Sequence, residues 1–291
     1  MLGLAAVKAP SNFELIVEPS RGWLRIPWTE LWEFRDLLVL LVQRDFISRY
    51  KQTILGPLWF LLQPVIMTLV FAVIFGRIAG IPTDGIPSPL FYLCGLLGWN
   101  YFAQNITTGG GTFINNSHLF GKVYFPRLLL PVSIIVANVV SFALQLIPFL
   151  AFFAYFKFFS NQADSISLHW TVLLLPLPLL HLALLSLGVG LLMAASTAKY
   201  RDLFHLNQFI VQLWMFGTPI IYPLSKVPPH WQWVIQLNPV TVPVESLRLI
   251  LLGRGTLQLS AVVMSLSVTF LLLIAGLAAF QKVERTVVDS V

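Results

Sequence analysis

Six long stretches of this chain carry no charged side chain: 52–76, 85–121, 128–156, 165–198, 203–225 and 255–281. About 20 consecutive apolar residues cross the hydrocarbon core of a bilayer, and an ionised group at its centre is costly. Each stretch therefore predicts one crossing, at about 54–76, 88–108, 128–156, 168–196, 203–223 and 257–281. The second ends near Thr108, because Gly109, Gly110 and Gly111 and then Asn115, Asn116 and Ser117 are too polar for lipid. A seventh stretch, 227–244, holds Pro228, Pro229, Pro239 and Pro243 with Gln232, Gln236 and Asn238, and reads as a surface or re-entrant segment. Composition agrees: 10% of the residues are charged, against about 25% in a soluble domain, and mean hydropathy is +0.81.

Lys and Arg set the orientation. With the N-terminus inside, thirteen of the 18 fall on the inner side, and Arg77, Lys157, Lys226, Arg248 and Arg254 fall outside. The expectation is an all-α polytopic protein, N-in and C-in. Residues 1–28 read as a cytosolic extension without the basic-then-apolar plan of a signal peptide. Residues 29–291 form the membrane domain. Over 29–51, Leu31, Phe34, Leu37, Leu38 and Leu41 recur at helical spacing, with Glu33, Asp36 and Arg44 off the stripe. That is an amphipathic helix suited to the membrane surface. It serves either as an anchor or as a lever touching a cytosolic partner.

The spans exclude several functions. None holds Asp, Glu, Lys or Arg near its centre, as an ion-coupled carrier would need. His169, His181 and His205 read as hydrogen-bonded packing residues. Cys94 is the only cysteine, and the five histidines lack metal-ligand spacing. The acids Asp84, Asp164, Asp202, Glu245, Glu284 and Asp289 are scattered over several loops, so no acid–base pair is visible. No phosphate-cradling glycine loop occurs, since Gly121-Lys122 runs into Val123. The chain is either a passive element or is driven by another chain.

The stretch "RDFISRYKQTILGPLWFLLQPV", from Arg44, resembles the start of type-2 ABC permeases that export bacterial surface polysaccharides such as O-antigen, capsule and teichoic acid. The likeness continues in "GKVYFPRLLLPVS" (121–133), "AKYRDLFHLNQFIVQLWMFGTPIIYPLSKVP" (198–228) and "LNPVTVPVESLRLILLG" (237–253). It covers about residues 30–285. It implies a six-span transport subunit of the bacterial inner membrane, with no catalysis of its own. That subunit works as a homodimer with two copies of a separate ATPase, which binds ATP and magnesium. The implied cargo is a lipid-linked glycan moved outward, and no nucleic acid is involved. Short re-entrant helices before the last span are implied as well.

The resemblance places an ATPase-docking element at 112–127, with Asn116, His118, Leu119, Phe120, Lys122, Val123 and Tyr124 carried over. An ordinary connector is the alternative, although so many aromatic and apolar residues on a loop favour a buried contact. Arg44, Arg49 and Lys51 form a basic collar suited to phosphate oxygens at a headgroup doorway, or simply to anionic lipid. Trp59, Phe60, Trp99, Tyr101, Phe102, Trp214, Phe216 and Tyr222 are candidate walls for sugar rings, or an interfacial aromatic belt. Ser186, Gly190 and Ala194 repeat at four-residue spacing as a small-residue packing face. Two other functions stay open: a permease for a drug or small lipid, and a membrane-embedded glycan-processing enzyme.

Overall fold

The computed structural model describes residues 28–48, 51, 53–117, 125–160, 166 and 170–288. Among these there are helices and turns but no strands, as expected of a chain whose backbone must satisfy its own hydrogen bonds in lipid. In chain order the helices are α1 (Trp28–Glu33), α2 (Arg35–Ser48), α3 (Trp59–Phe71), α4 (Ser88–Gly110), α5 (Thr112–Asn115), α6 (Leu129–Phe159), α7 (Pro176–Lys199), α8 (Leu203–Phe216), α9 (Pro229–Leu237), α10 (Thr241–Leu252) and α11 (Leu259–Val288). Gly56 takes φ +51°, a left-handed conformation suited to glycine, and Pro57 opens the tight turn that leads into α3.

Four helical stretches are long and apolar enough to cross a membrane: Gly56–Ile78, Leu129–Phe159, Trp170–Lys199 and Leu259–Glu284. The other two expected crossings differ in kind. α4 has 23 residues but carries Asn100, Gln104, Asn105, Thr107 and Thr108, and it is the buried centre of the molecule. α8 stops at Phe216, short of the expected 223, where Gly217 and Pro219 end the helical ladder and Ile220 turns back on Thr218.

The core forms around α4. Leu90, Phe91, Leu93, Leu97, Phe102 and Ile106 meet residues of α6, α7 and α10 in one cluster. Gly95 and Gly98 leave the space that α10 occupies: a Cβ on Gly98 would sit 2.7 Å from Leu247, and one on Gly95 would sit 3.1 Å from Arg248. α7 and α11 come closest of all. A Cβ on Gly276 would strike the Gly188 carbonyl, and one on Gly188 would lie 2.7 Å from the Leu273 nitrogen. Polar ties cross the apolar packing. Asn138 donates to Asn105 (2.6 Å) and Asn105 to Ser186 (3.1 Å), joining α6, α4 and α7. In apolar surroundings such ties contribute roughly 0.6–2 kcal/mol each.

Two local readings change. The stripe Leu31, Phe34, Leu37, Leu38 and Leu41 packs on Phe125, Leu129 and Leu130 at the start of α6. It faces protein rather than a membrane surface, and Trp32, Val39, Leu40 and Ile47 point outward instead. The segment 227–244 splits in two: α9 lies at the surface with no buried residue, while the start of α10 belongs to a core helix of which only Ser246 and Leu249 are not buried.

Candidate functional site

Two cavities stack along the cleft between α4 and α6. The lower one, about 260 Å3, lies where the end of α2 meets α5 and the start of α6. Arg44 reaches into it with Nη2 2.7 Å and Nε 3.0 Å from Asp45 Oδ1, and Nη2 also donates to Asn116 Oδ1 at 3.3 Å. Ser133 donates to the other Asp45 oxygen at 3.3 Å, and Asn116 donates to the Thr112 carbonyl at 3.0 Å. Ser48, Thr108 and Asn115 complete the polar wall, with Leu130 and Ile134 behind.

The upper groove, about 190 Å3, is open to one side between α3, α4 and α6. α4 lines it with Asn100, Tyr101, Ala103, Gln104 and Thr107, and α6 with Asn138, Ser141, Phe142 and Gln145. α3 supplies Phe60, Gln63 and Pro64. No charged side chain lines it. Asn100 donates to Gln145 across the groove at 3.2 Å, and Gln104 donates to Thr108 at 2.9 Å. Ser141 is buried, and its hydroxyl has no hydrogen-bond partner among the described residues. Asn100 stands about 18 Å along α4 from Ser88, by a rise of 1.5 Å per residue. The groove therefore runs from the middle of α4, at Asn100, to its last turn, at Thr107. Thr107 and Thr108 are consecutive, and Asn138 is one turn above Ile134, so groove and cleft form one track.

The track offers amides, hydroxyls and aromatic residues, and among the described residues that line it there is no nucleophile–base pair. Among the described residues no group of three His, Cys, Asp or Glu stands ready to hold a metal. His181 is packed against Ser265 (3.2 Å) and Thr269 (3.0 Å).

The residues nominated from sequence separate. Of the collar, Arg44 is turned inward onto Asp45, Lys51 is exposed, and Arg49 lies outside the described residues. Of the docking segment, Asn116 is buried in the lower cleft, while His118, Leu119, Phe120, Lys122, Val123 and Tyr124 lie outside the described residues. Of the aromatics, Phe60 and Tyr101 line the groove, where Tyr101 meets Phe142 edge-on at 6.0 Å. Phe60 also stacks on Phe46 of α2 at 5.9 Å. Trp59 and Phe216 are outward-facing. Trp99 and Phe102 are core residues, 4% and 0% exposed, and neither lines the groove. Trp214 packs on Phe102 and donates to Asn238 at 2.9 Å. Tyr222 is half-buried, its hydroxyl 3.4 Å from the Phe216 carbonyl.

Sequence reasoning missed the amides. Asn100, Gln104, Asn138 and Gln145 carry no charge, and a reading of the spans by charge does not single them out. Their own signal is plain: Asn100, Gln104 and Thr107 fall on one face of α4, and Asn138, Ser141 and Gln145 on one face of α6. It missed one further pair. Glu245 and Arg248, which it counted as separate loop charges, meet in the core at 2.6 Å.

The family described as ABC-2 type transporter matches residues 36–252. The chain is 29% identical over 265 residues to a Myxococcus xanthus protein named O-antigen export system permease protein RfbA, covering 90% of this chain and 98% of that one. A Klebsiella pneumoniae protein of the same name is 27% identical over 250 residues, covering 86% and 92%. The Escherichia coli polysialic acid transport protein KpsM is 26% identical over 209 residues, covering 69% and 76%.

Proposed function

The chain belongs to the ABC-2 type transporter family, and from that premise we propose how it works. It is the permease subunit of an ABC polysaccharide exporter, a multi-pass protein of the bacterial inner membrane, and its relatives carry names of that kind. Energy comes from an ATPase partner, so the permease itself is a non-catalytic subunit. The observation that carries the reading is the stacked polar track. A neutral, hydroxyl-matching groove above a charged cleft suits a glycan whose anionic lipid end stays at the cytosolic face.

The chain crosses six times, N-in and C-in, with α4 as a buried second span and α8 as a short fifth. At about 35 Å, α4 is long enough for this; α8, about 21 Å, needs its following turns to complete the passage. α9 and α10 are re-entrant. Two copies pair, and two ATPase subunits dock on the segment containing Asn116, His118, Leu119, Phe120, Lys122, Val123 and Tyr124. What supports a second copy is the outer face of the Gly56–Ile78 stretch that contains α3, where Leu58, Leu62, Ile66, Leu69 and Val73 are all exposed. The collar Arg44, Arg49 and Lys51 receives the pyrophosphate of a lipid-linked glycan. Arg44 does so by exchanging Asp45 for the cargo.

Purification supplies the test. The chain alone is expected to hydrolyse no ATP, and co-expression with the ATPase encoded beside it is expected to give a complex that does. Replacing 119–124 with Gly/Ser is expected to leave membrane insertion intact and to abolish that complex or uncouple it from export. Full assembly and export by this variant sinks the docking assignment.

A further inference from the structure

We propose that the upper groove is a binding site for uncharged sugar units and that it turns away polyanionic ones. This deepens the exporter reading and rests on it. The groove presents side-chain amides and hydroxyls, which both donate and accept, as sugar hydroxyls do. Several of these groups have spare capacity. Ser141 is 5% exposed, and its buried hydroxyl has no partner among the described residues. Leaving such a group unmade is unfavourable, and turning the Ser141 side chain toward the groove it lines brings its hydroxyl to a ligand that relieves it. Gln63 is exposed and makes no hydrogen bond to the described residues. Gln145 uses only its carbonyl oxygen, on Asn100, and keeps its amino group for a ligand. The part-exposed ring of Phe60 supplies an apolar face for the C–H side of a sugar ring, and the buried rings of Tyr101 and Phe142 back the wall behind it.

The same lining is unsuited to carboxylates. No Lys, Arg or His lines the groove, and an anion moved from water into such a site without a cation is heavily penalised. Among the described residues that line the cleft below, the one cation is Arg44, and it stands at the other end of the track on Asp45, outside the groove lining. Amides at this depth are also costly if they face lipid, so the groove needs a polar occupant or a cover.

The test uses the full transporter with its ATPase in nanodiscs. Two polyprenyl-pyrophosphate oligosaccharides of equal length are offered, one of neutral hexoses and one with a carboxylate on every sugar. Cargo-stimulated ATP hydrolysis is titrated, and a diazirine amino acid at position 103, otherwise in the native sequence, reports what fills the groove. Half-saturation by the neutral glycan is expected at a concentration at least roughly tenfold lower than by the anionic one, a difference of about 1.4 kcal/mol. The neutral glycan is expected to crosslink at position 103. Ser141→Val and Gln145→Leu are each expected to raise the neutral half-saturation by roughly two- to tenfold, the worth of one neutral hydrogen bond. Equal half-saturation by the two cargoes overturns the groove assignment and leaves the exporter reading standing. So does crosslinking at position 103 only to lipid or to the second copy. Stimulation by neither cargo overturns the exporter reading, and the groove with it.

Discussion

Arg248 is the largest of the fully buried side chains, at 2% exposure, and it sits among apolar helices. Its guanidinium meets Glu245 at 2.6 Å, donates to the Ile220 carbonyl at 3.1 Å and lies 3.9 Å above the ring of Phe91. Glu245 uses its second oxygen to accept from the Thr256 amide at 3.1 Å. One pair therefore fixes α10 to α4, to the turn after α8 and to the loop that leads into α11. Removing one partner of a buried ion pair costs about 3–5 kcal/mol, because a charge is left uncompensated, whereas replacing both by apolar groups is often neutral. Glu245→Ala is therefore expected to lower the thermal midpoint of the purified protein far more than Glu245→Leu combined with Arg248→Met. A double variant no more stable than the single one counts against the pair as the cause. Sequence had the signal without its meaning. Three-residue spacing puts the two charges on one helical face, but only where 241–252 is recognised as a helix.

At the scale of elements, the chain's own spacing shows which face of a helix is small or apolar but not what that face meets. Ser186, Gly190 and Ala194 form a readable small-residue face, and Gly190 does lie beside Gly109 of α4. The tightest approach is on another face, where Gly188 meets Gly276 of α11, and nothing local in either helix announces that partner. The stripe on α2 teaches the same lesson, since its period was visible and its partner, the start of α6, was not. The two glycine sites separate experimentally. A Cβ on Gly190 has its nearest neighbour at 3.7 Å, ordinary contact, while one on Gly276 meets backbone that cannot swing aside. Gly190→Ala is expected to leave the yield and thermal midpoint of the folded protein nearly unchanged. Gly276→Ala is expected to separate α7 from α11 and to cost several degrees or the fold itself. Equal tolerance of both changes would mean that the α7–α11 contact has slack not apparent in the packing.

Across the whole molecule, the Arg44–Asp45 pair joins elements that lie far apart in the chain. Arg44 belongs to α2, yet it also donates to Asn116, which follows α5 and opens the segment proposed for docking. Asp45 ties the same cluster to Ser133 on α6. Two roles are compatible with this geometry, and they differ in sign. If Arg44 receives the anionic end of the cargo, Asp45 competes with that cargo, and Asp45→Asn relieves the competition. The pair is partly exposed, with side chains 40% and 16% accessible, so the relief is about 1 kcal/mol at most, roughly fivefold in affinity. If Arg44 is only a strut between α2 and α5, both partners matter for the same reason, and losing either loosens the cleft. We expect the first outcome. In the reconstituted transporter, Asp45→Asn should lower the cargo concentration that half-saturates ATP hydrolysis, Arg44→Gln should raise it, and the double variant should resemble Arg44→Gln alone, since no competitor matters once the ligand is gone. Arg44→Gln and Asp45→Asn both weakening cargo response would instead make the pair a strut. Arg44 would then leave the collar, and the cargo's charge would have to be met by Arg49 and Lys51.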